Sequence, residues 1–463
     1  MSTPQPPAGP GRSVVAAADV RHAVLDPAPG SEPCVFRDAR IEGALALDGA
    51  EITRLVRFED CTFDGPVTLE GASTLAFAVT GCTLPAFHAP TAQIGGRLDL
   101  RGSTVTGGGR RGAVNLVHTH IAGGLRLDRA HLVNDEGLAV NAGGLVMQGG
   151  VFCEDFVAHG RFVLPGAELP GGLWMHGARI VAAAPDEIAF NGDALRASTV
   201  RLNRGWRADG RVRLRGARID DLLSFHDAEL LGQGASLMCV GAQLGAIDLR
   251  LARPPAGGVD LRNAHATRIQ DRPGTWRSPL GLDGLTYDWV EPTAATQRED
   301  ATHRLAWLRL QTRYVPQPYE QLASYYRRLG HESEARRVLL VRERRRRALL
   351  GPAGRVWGGL LDATVGYGYR PWLAGLWLAL LTLLGSLAFR THAPVPNKAG
   401  EGPPFHPVAY ALDLLIPVGG LGQRDVWHWA QPWLQNLAYG LIAVGWVLTT
   451  AVVAGVTRTL NRT

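Results

Sequence analysis

The chain has 463 residues, 46% of them hydrophobic, with 57 glycines, five cysteines and a formal net charge of +6. The odd cysteine count, without any C-x-x-C pair, excludes a disulfide framework, a zinc knuckle and a haem-attachment motif. The densest basic run, Arg342 to Arg347, is compact and lacks interleaved aromatics, so no nucleic-acid partner is expected.

In chain order, residues 1–33 open with "MSTPQPPAGPGRSVV", rich in proline and glycine and without an apolar run behind a basic start. They read as a disordered leader and not as a secretory signal. From 34 to 280 one pattern recurs: a glycine, two or three alternating apolar residues, a small Gly/Ala pair, and another apolar residue. Instances are "GALALDGAEI" (43–52), "GRLDLRGSTV" (96–105), "GGLWMHGARI" (171–180) and "GRVRLRGARI" (210–219). Period-2 alternation this short predicts very short strands, and the glycines permit sharp turns between them. Such strands bury an inward face only by stacking turn on turn, which predicts a mainly β fold, a right-handed β-helix or solenoid, with two decamers per turn. The repeats resemble the pentapeptide-repeat class, which carries Leu or Ile at its centre and Ala two residues earlier. His118, His120, His176 and His226 fall in or beside these strands as isolated histidines, since their spacing shows no convergence on a metal. "GGGRRG" (107–112) spells a dinucleotide-binding fingerprint, but the alternating "AVNLVHTHI" follows it where a helix should open, so it reads as a turn.

Residues 281–352 change to helical spacing. Tyr319, Leu322, Ala323 and Tyr326, then Ala335, Val338 and Leu339 around Gly330, resemble one tetratricopeptide-like hairpin. A single unit forms no superhelical groove, so its expected role is to cap the last strand edge of the solenoid. Within 353–463 two uncharged stretches, 371–389 and 434–457, are long enough to predict a two-helix transmembrane region. Arg342, Arg344, Arg345, Arg346, Arg347 and Arg370 flank the first stretch. By the positive-inside rule they place the solenoid and both termini on the cytoplasmic side of an inner membrane, with the lipid bilayer as a partner.

"TVGYG" (364–368) matches the letters of a potassium filter, but it precedes both stretches and reads as a juxtamembrane belt. The segment 405–423, with "YALDLLIPVGGLGQ", is too short to span and predicts a re-entrant element. Its place between the two stretches resembles the helix–pore loop–helix module of two-span cation channels. That resemblance makes Asp413, Pro417, Gly419, Gly420, Gly422 and Gln423 candidate pore-loop residues, although Pro417 interrupts the filter entrance and no threonine or tyrosine supplies a ring.

"PYEQLASYYRRLGHESEARRVL", "TVGYGYRPW", "YALDLLIPVGGLGQ" and "GWVLTTAVVAG" together resemble a bacterial group of solenoid-bearing integral membrane proteins, many named membrane-associated oxidoreductase. The resemblance brings no catalytic residue and no cofactor, because no flavin, nicotinamide, haem or iron–sulfur motif is present. The expected function is a membrane-anchored scaffold, meeting a protein partner on its solenoid face and a second copy through Gly440 and Ala443. The alternatives are a channel-like protein with the solenoid as sensor, and the oxidoreductase that the group name implies.

Overall fold

The computed structural model describes residues 13–25, 33–272, 274–276, 279–292, 301–352, 359, 372–398, 403–417 and 420–460. The chain divides into two compact units, Met1–Tyr325 and Tyr326–Thr463.

The first unit is a β-solenoid of about 12 turns, consistent with a pentapeptide-repeat-like fold. Every pairing between its strands is parallel and joins one turn to the next. Four ladders run its length, two in each of two sheets. One passes through Leu45, Val67, Phe87 and Val114, and continues through Val140, Phe162, Phe190 and Val212. Another joins Ile52, Thr74, Ile94, Ile121 and Met147. These side chains are all buried, because stacking aligns each inward position with its counterpart in the next turn. Turn length departs from two regular decamers: it varies from 20 residues between Val67 and Phe87 to 28 between Phe162 and Phe190. Extra residues are taken up in corners and in β-bulges, where the ladder register shifts, as between Val133 and Leu138 and between Ile188 and Phe190.

Two corners per turn are built on one left-handed residue. The first column runs Gly49, Gly71, Thr91, His118, Gly144 and Gly166, each with φ between 52° and 66°. The following N–H closes a β-turn, as when Ala50 donates to the Leu47 carbonyl at 3.2 Å. Asp38, Asp60, Gly81 and Gly102 begin the second column. A third corner needs glycine for a different reason, close approach. A Cβ on Gly123 would lie 2.5 Å from the Gly96 oxygen, and one on Gly149 would lie 2.4 Å from the Gly123 oxygen. We expect Gly149→Ala to lower stability by about 3 kcal/mol, read as a shifted urea midpoint with an unchanged slope.

Both ends of the solenoid are covered. Strand Ser13–Ala16 pairs with Ala39–Glu42, and helix α1 (Ala17–Leu25) buries Ala17, Val20 and Val24. This pair lies inside the segment whose composition suggested a disordered leader. The proline-rich opening masked the apolar spacing of "AADVRHAVL". At the other end, helix α2 (Ala301–Arg309) inserts Leu305, Trp307 and Leu308, and helix α3 (Gln317–Arg328) follows. Gln317 Oε1 accepts from Gly284 N–H at 2.9 Å, and its Nε2 donates to the Leu285 carbonyl at 3.0 Å. Gln321 Nε2 donates to the Tyr287 carbonyl at 2.7 Å and the Tyr325 hydroxyl to the Val290 carbonyl at 3.0 Å. Side chains at i, i+4 and i+8 of one helix thus occupy the backbone groups of the last strand, which would otherwise template another chain. Behind them Arg304 Nη1 meets both Asp271 oxygens at 2.9 Å, and Trp276 Nε1 donates to Asp271 Oδ2 at 2.6 Å.

The five cysteines are free. Burial raises the thiol pKa values of Cys153 and Cys239, which keeps these two sulfurs protonated.

The second unit contains helices α4 (Glu332–Ala348), α5 (Trp372–Phe389), α6 (Pro407–Leu415) and α7 (Pro432–Leu460). Its core gathers Phe389 of α5, Tyr410, Leu414 and Leu415 of α6, Leu434, Ala438 and Leu441 of α7, and Trp429. Small residues let α6 sit close: a Cβ on Gly385 would touch Ala411, and one on Gly445 would meet the Leu415 carbonyl at 2.3 Å.

The expected two-helix transmembrane region is not upheld. Among the described residues no helix is long and apolar enough to cross a membrane. Helix α5 has 18 residues, about 27 Å at ~1.5 Å per residue against ~30 Å of hydrocarbon. Helix α7 is longer, but its first turns carry Gln435 and Asn436. Both stretches met the length and the lack of charge that a span requires, yet part of each, Phe389 and then Leu434, Ala438 and Leu441, packs inward with α6.

Candidate functional site

On the solenoid, the outward positions beside the Ile52–Met147 ladder frame a groove of about 690 Å³. Two rows of side chains line it. Glu51, Ser73, Gln93, His120 and Val146 precede the inward residue of each turn, while Thr53, Leu75, Gly95, Ala122 and Gln148 follow it. The depression exists because Gly95 and Ala122 fill little space between Leu75, 53% exposed, and Gln148. Gln93 Nε2 lies 3.4 Å from His120 Nδ1. Glu51 is the one carboxylate of the lining, which holds no Lys or Arg. The other polar groups are hydroxyls, carboxamides and one imidazole.

None of these residues except His120 stood out in the sequence. The signal was the string that follows each inward residue, "IGG" at 94–96, "IAGG" at 121–124 and "MQGG" at 147–150. There a small residue or a glutamine opens the corner, and it is visible only once the turns are aligned.

The sequence's own candidates lie in the second unit. Asp413, 1% exposed, accepts N–H bonds from Leu421 at 2.7 Å, Gln423 at 2.8 Å and Arg424 at 2.9 Å. Gln423 accepts from His406 N–H at 3.2 Å and donates to the Pro404 carbonyl at 3.1 Å. Asp413 and Gln423 are therefore brought together, as the internal fastening of a loop over α6. Gly422 takes φ 73° at the bend of that loop, and Gly420 lies close enough that a Cβ would come 3.6 Å from Asp413 Oδ1. Pro417 is half-buried after α6. Gly419, Arg370 and the segment 364–368 lie outside the described residues.

The arginines of α4 divide by environment. Arg342 is buried and its Nη2 donates to Glu343 Oε1 at 2.6 Å. Glu343 also faces Arg346 at 3.9 Å. Arg344 and Arg346 are exposed, whereas Arg345 and Arg347 are half-buried. Gly440 and Ala443 are exposed on α7.

His118, His120, His176 and His226 form no metal-ligating group among the described residues, while His131 and His159 of neighbouring turns stack with ring centroids 5.6 Å apart. His118 occupies a left-handed corner, and His226 lies 3.3 Å from Asp227 and 3.5 Å from Asp248. The pKa of His176 is lowered by burial and then by Arg204. No group of three potential metal ligands converges among the described residues. "GGGRRG" forms a single 3₁₀ turn, Gly109–Arg111, with no helix behind it. Compared with known proteins, the chain matches no family model, no curated protein and no solved structure.

Proposed function

We propose that the chain is an interaction scaffold whose helical unit seats on an anionic lipid surface, lying in the interface without crossing it. The solenoid supplies a rigid, capped body with long outward faces, the geometry suited to holding a partner. One observation carries the lipid reading: the outward face of α5 is apolar where a water-facing helix would be polar. Leu376, Leu380, Leu383, Leu384 and Leu387 recur at helical spacing and are exposed, Leu376 by 57%. On α7, Trp433, Tyr439, Val444, Trp446 and Val447 are exposed as well. Contiguous exposed apolar surface of this kind marks an interaction site. Trp and Tyr favour the head-group level, and arginines such as Arg344 and Arg346 of the same unit favour anionic lipid. The anionic cytoplasmic face of an inner membrane fits this chemistry, with the solenoid on the same side.

Flotation with vesicles tests the proposal. The full chain is expected to float with phosphatidylcholine vesicles containing 30% phosphatidylglycerol, about tenfold more than with phosphatidylcholine alone. Leu380→Glu/Leu384→Glu is expected to abolish flotation while the far-ultraviolet circular dichroism stays unchanged. Absence of flotation by the parent chain with anionic vesicles, or undiminished flotation by the variant, would overturn the reading.

A further inference from the structure

We infer that the groove from Glu51 to Gln148 is a docking site for an extended, uncharged peptide segment of about six residues. The size follows from the fold. Five turns contribute, giving four steps of ~4.8 Å, or about 19 Å, the length of six residues at ~3.3 Å each. A chain lying in the groove crosses the strands at right angles, so it cannot join their ladders, and its backbone must be met by side chains. The lining supplies the side chains suited to that task. The carboxamides of Gln93 and Gln148 can each donate to a peptide carbonyl and accept from a peptide N–H. Thr53 and Ser73 add hydroxyls, and His120 adds an imidazole.

Two further observations narrow the chemistry. With Glu51 as the one carboxylate in a lining that holds no Lys or Arg, an acidic segment would find neither to pair with and a strongly basic one only a single partner. No Phe, Tyr or Trp lines the groove, so the flat aromatic platform on which a sugar ring stacks is missing. Instead Leu75 stands half-exposed beside the open floor at Gly95 and Ala122, a seat for one apolar side chain of the segment. This proposal is independent of the lipid reading, since it concerns only the solenoid.

The test uses the full chain and a phage-displayed library of random octapeptides. Selected peptides are expected to be poor in charge and to carry one apolar anchor. In fluorescence anisotropy, Ala122→Arg is expected to weaken their binding at least about tenfold and Leu75→Gln about threefold. Arg262→Ala, an exposed control outside the groove, is expected to leave binding unchanged. Unaltered thermal melts of the variants would show that the fold persists, because all three positions are exposed. Hydrogen exchange should slow at 93–95 and 120–122 when a selected peptide binds. The inference is overturned if the library yields no binder, if binders are dominated by one sign of charge, or if Ala122→Arg binds them as the parent does. It is equally overturned if cellohexaose or chitohexaose protects these amides and the peptides do not.

Discussion

Replacing Asp413 with alanine is expected to destabilise the loop over α6 by about 3–5 kcal/mol, because three backbone N–H groups lose a charged acceptor at once. The carboxylate is buried and no neighbouring side chain can take over all three bonds, which come from Leu421, Gln423 and Arg424. The loss should be local first. Amide exchange at these three positions is expected to accelerate before any change at Tyr410 or Leu414, which are held by apolar packing. Asp413→Asn keeps one acceptor oxygen and should lose about half as much. If Asp413→Ala leaves the exchange of 421, 423 and 424 unchanged, the fastening is not what holds this loop.

Breaking the buried pair at the solenoid's C-terminal cap is expected to have the other large effect. Arg304 and Asp271 have side chains only 5% and 3% exposed. Arg304→Met leaves an uncompensated carboxylate inside the protein, a change that typically costs about 3–5 kcal/mol. Arg304 also donates to the Glu291 carbonyl at 2.9 Å and stacks over Trp307 at 4.5 Å, so the seat of α2 loosens with it. The double variant Arg304→Met/Asp271→Asn removes both charges and keeps an acceptor for Trp276. It should recover most of the loss, because apolar replacement of a buried pair is often neutral. Urea denaturation followed by circular dichroism distinguishes these outcomes; a single variant within about 1 kcal/mol of the parent would sink the argument. If the cap lifts, the strand edge now covered by Gln317, Gln321 and Tyr325 is exposed, and light scattering should rise on incubation.

The sequence disclosed the solenoid because its period is carried by residue types. An apolar residue inside, most often Leu, Ile, Val or Phe, and most often Gly, Asn or Asp at a left-handed corner recur from turn to turn. It disclosed the C-terminal cap less directly, through the change to helical spacing at Tyr319, Leu322, Ala323 and Tyr326. What it could not disclose depended on backbone. Asp413 looked like a pore-lining carboxylate because its three partners are main-chain N–H groups, which leave no mark on residue identity. The groove escaped because its defining residues, Gly95 and Ala122, matter for the space they leave empty. The apolar stretches near the end misled for a related reason. An uncharged run does not separate Leu381 and Gly385, which face the helical core, from Leu380 and Leu384, which do not.

The one-neighbour pattern of the ladders has a mechanical consequence. Each turn pairs in the ladders with the turn before it and the turn after it, as Val67 stands in register between Leu45 and Phe87 and donates its N–H to the Ala86 carbonyl at 3.0 Å. Tension applied along the axis at the two ends is therefore borne in series, and each inter-turn seam must carry the full load. Such a body yields by peeling single turns from a loosened end, lengthening in steps of roughly 70–100 Å for turns of 20 to 28 residues. The terminal helices then act as clasps that set the force at which the first step occurs.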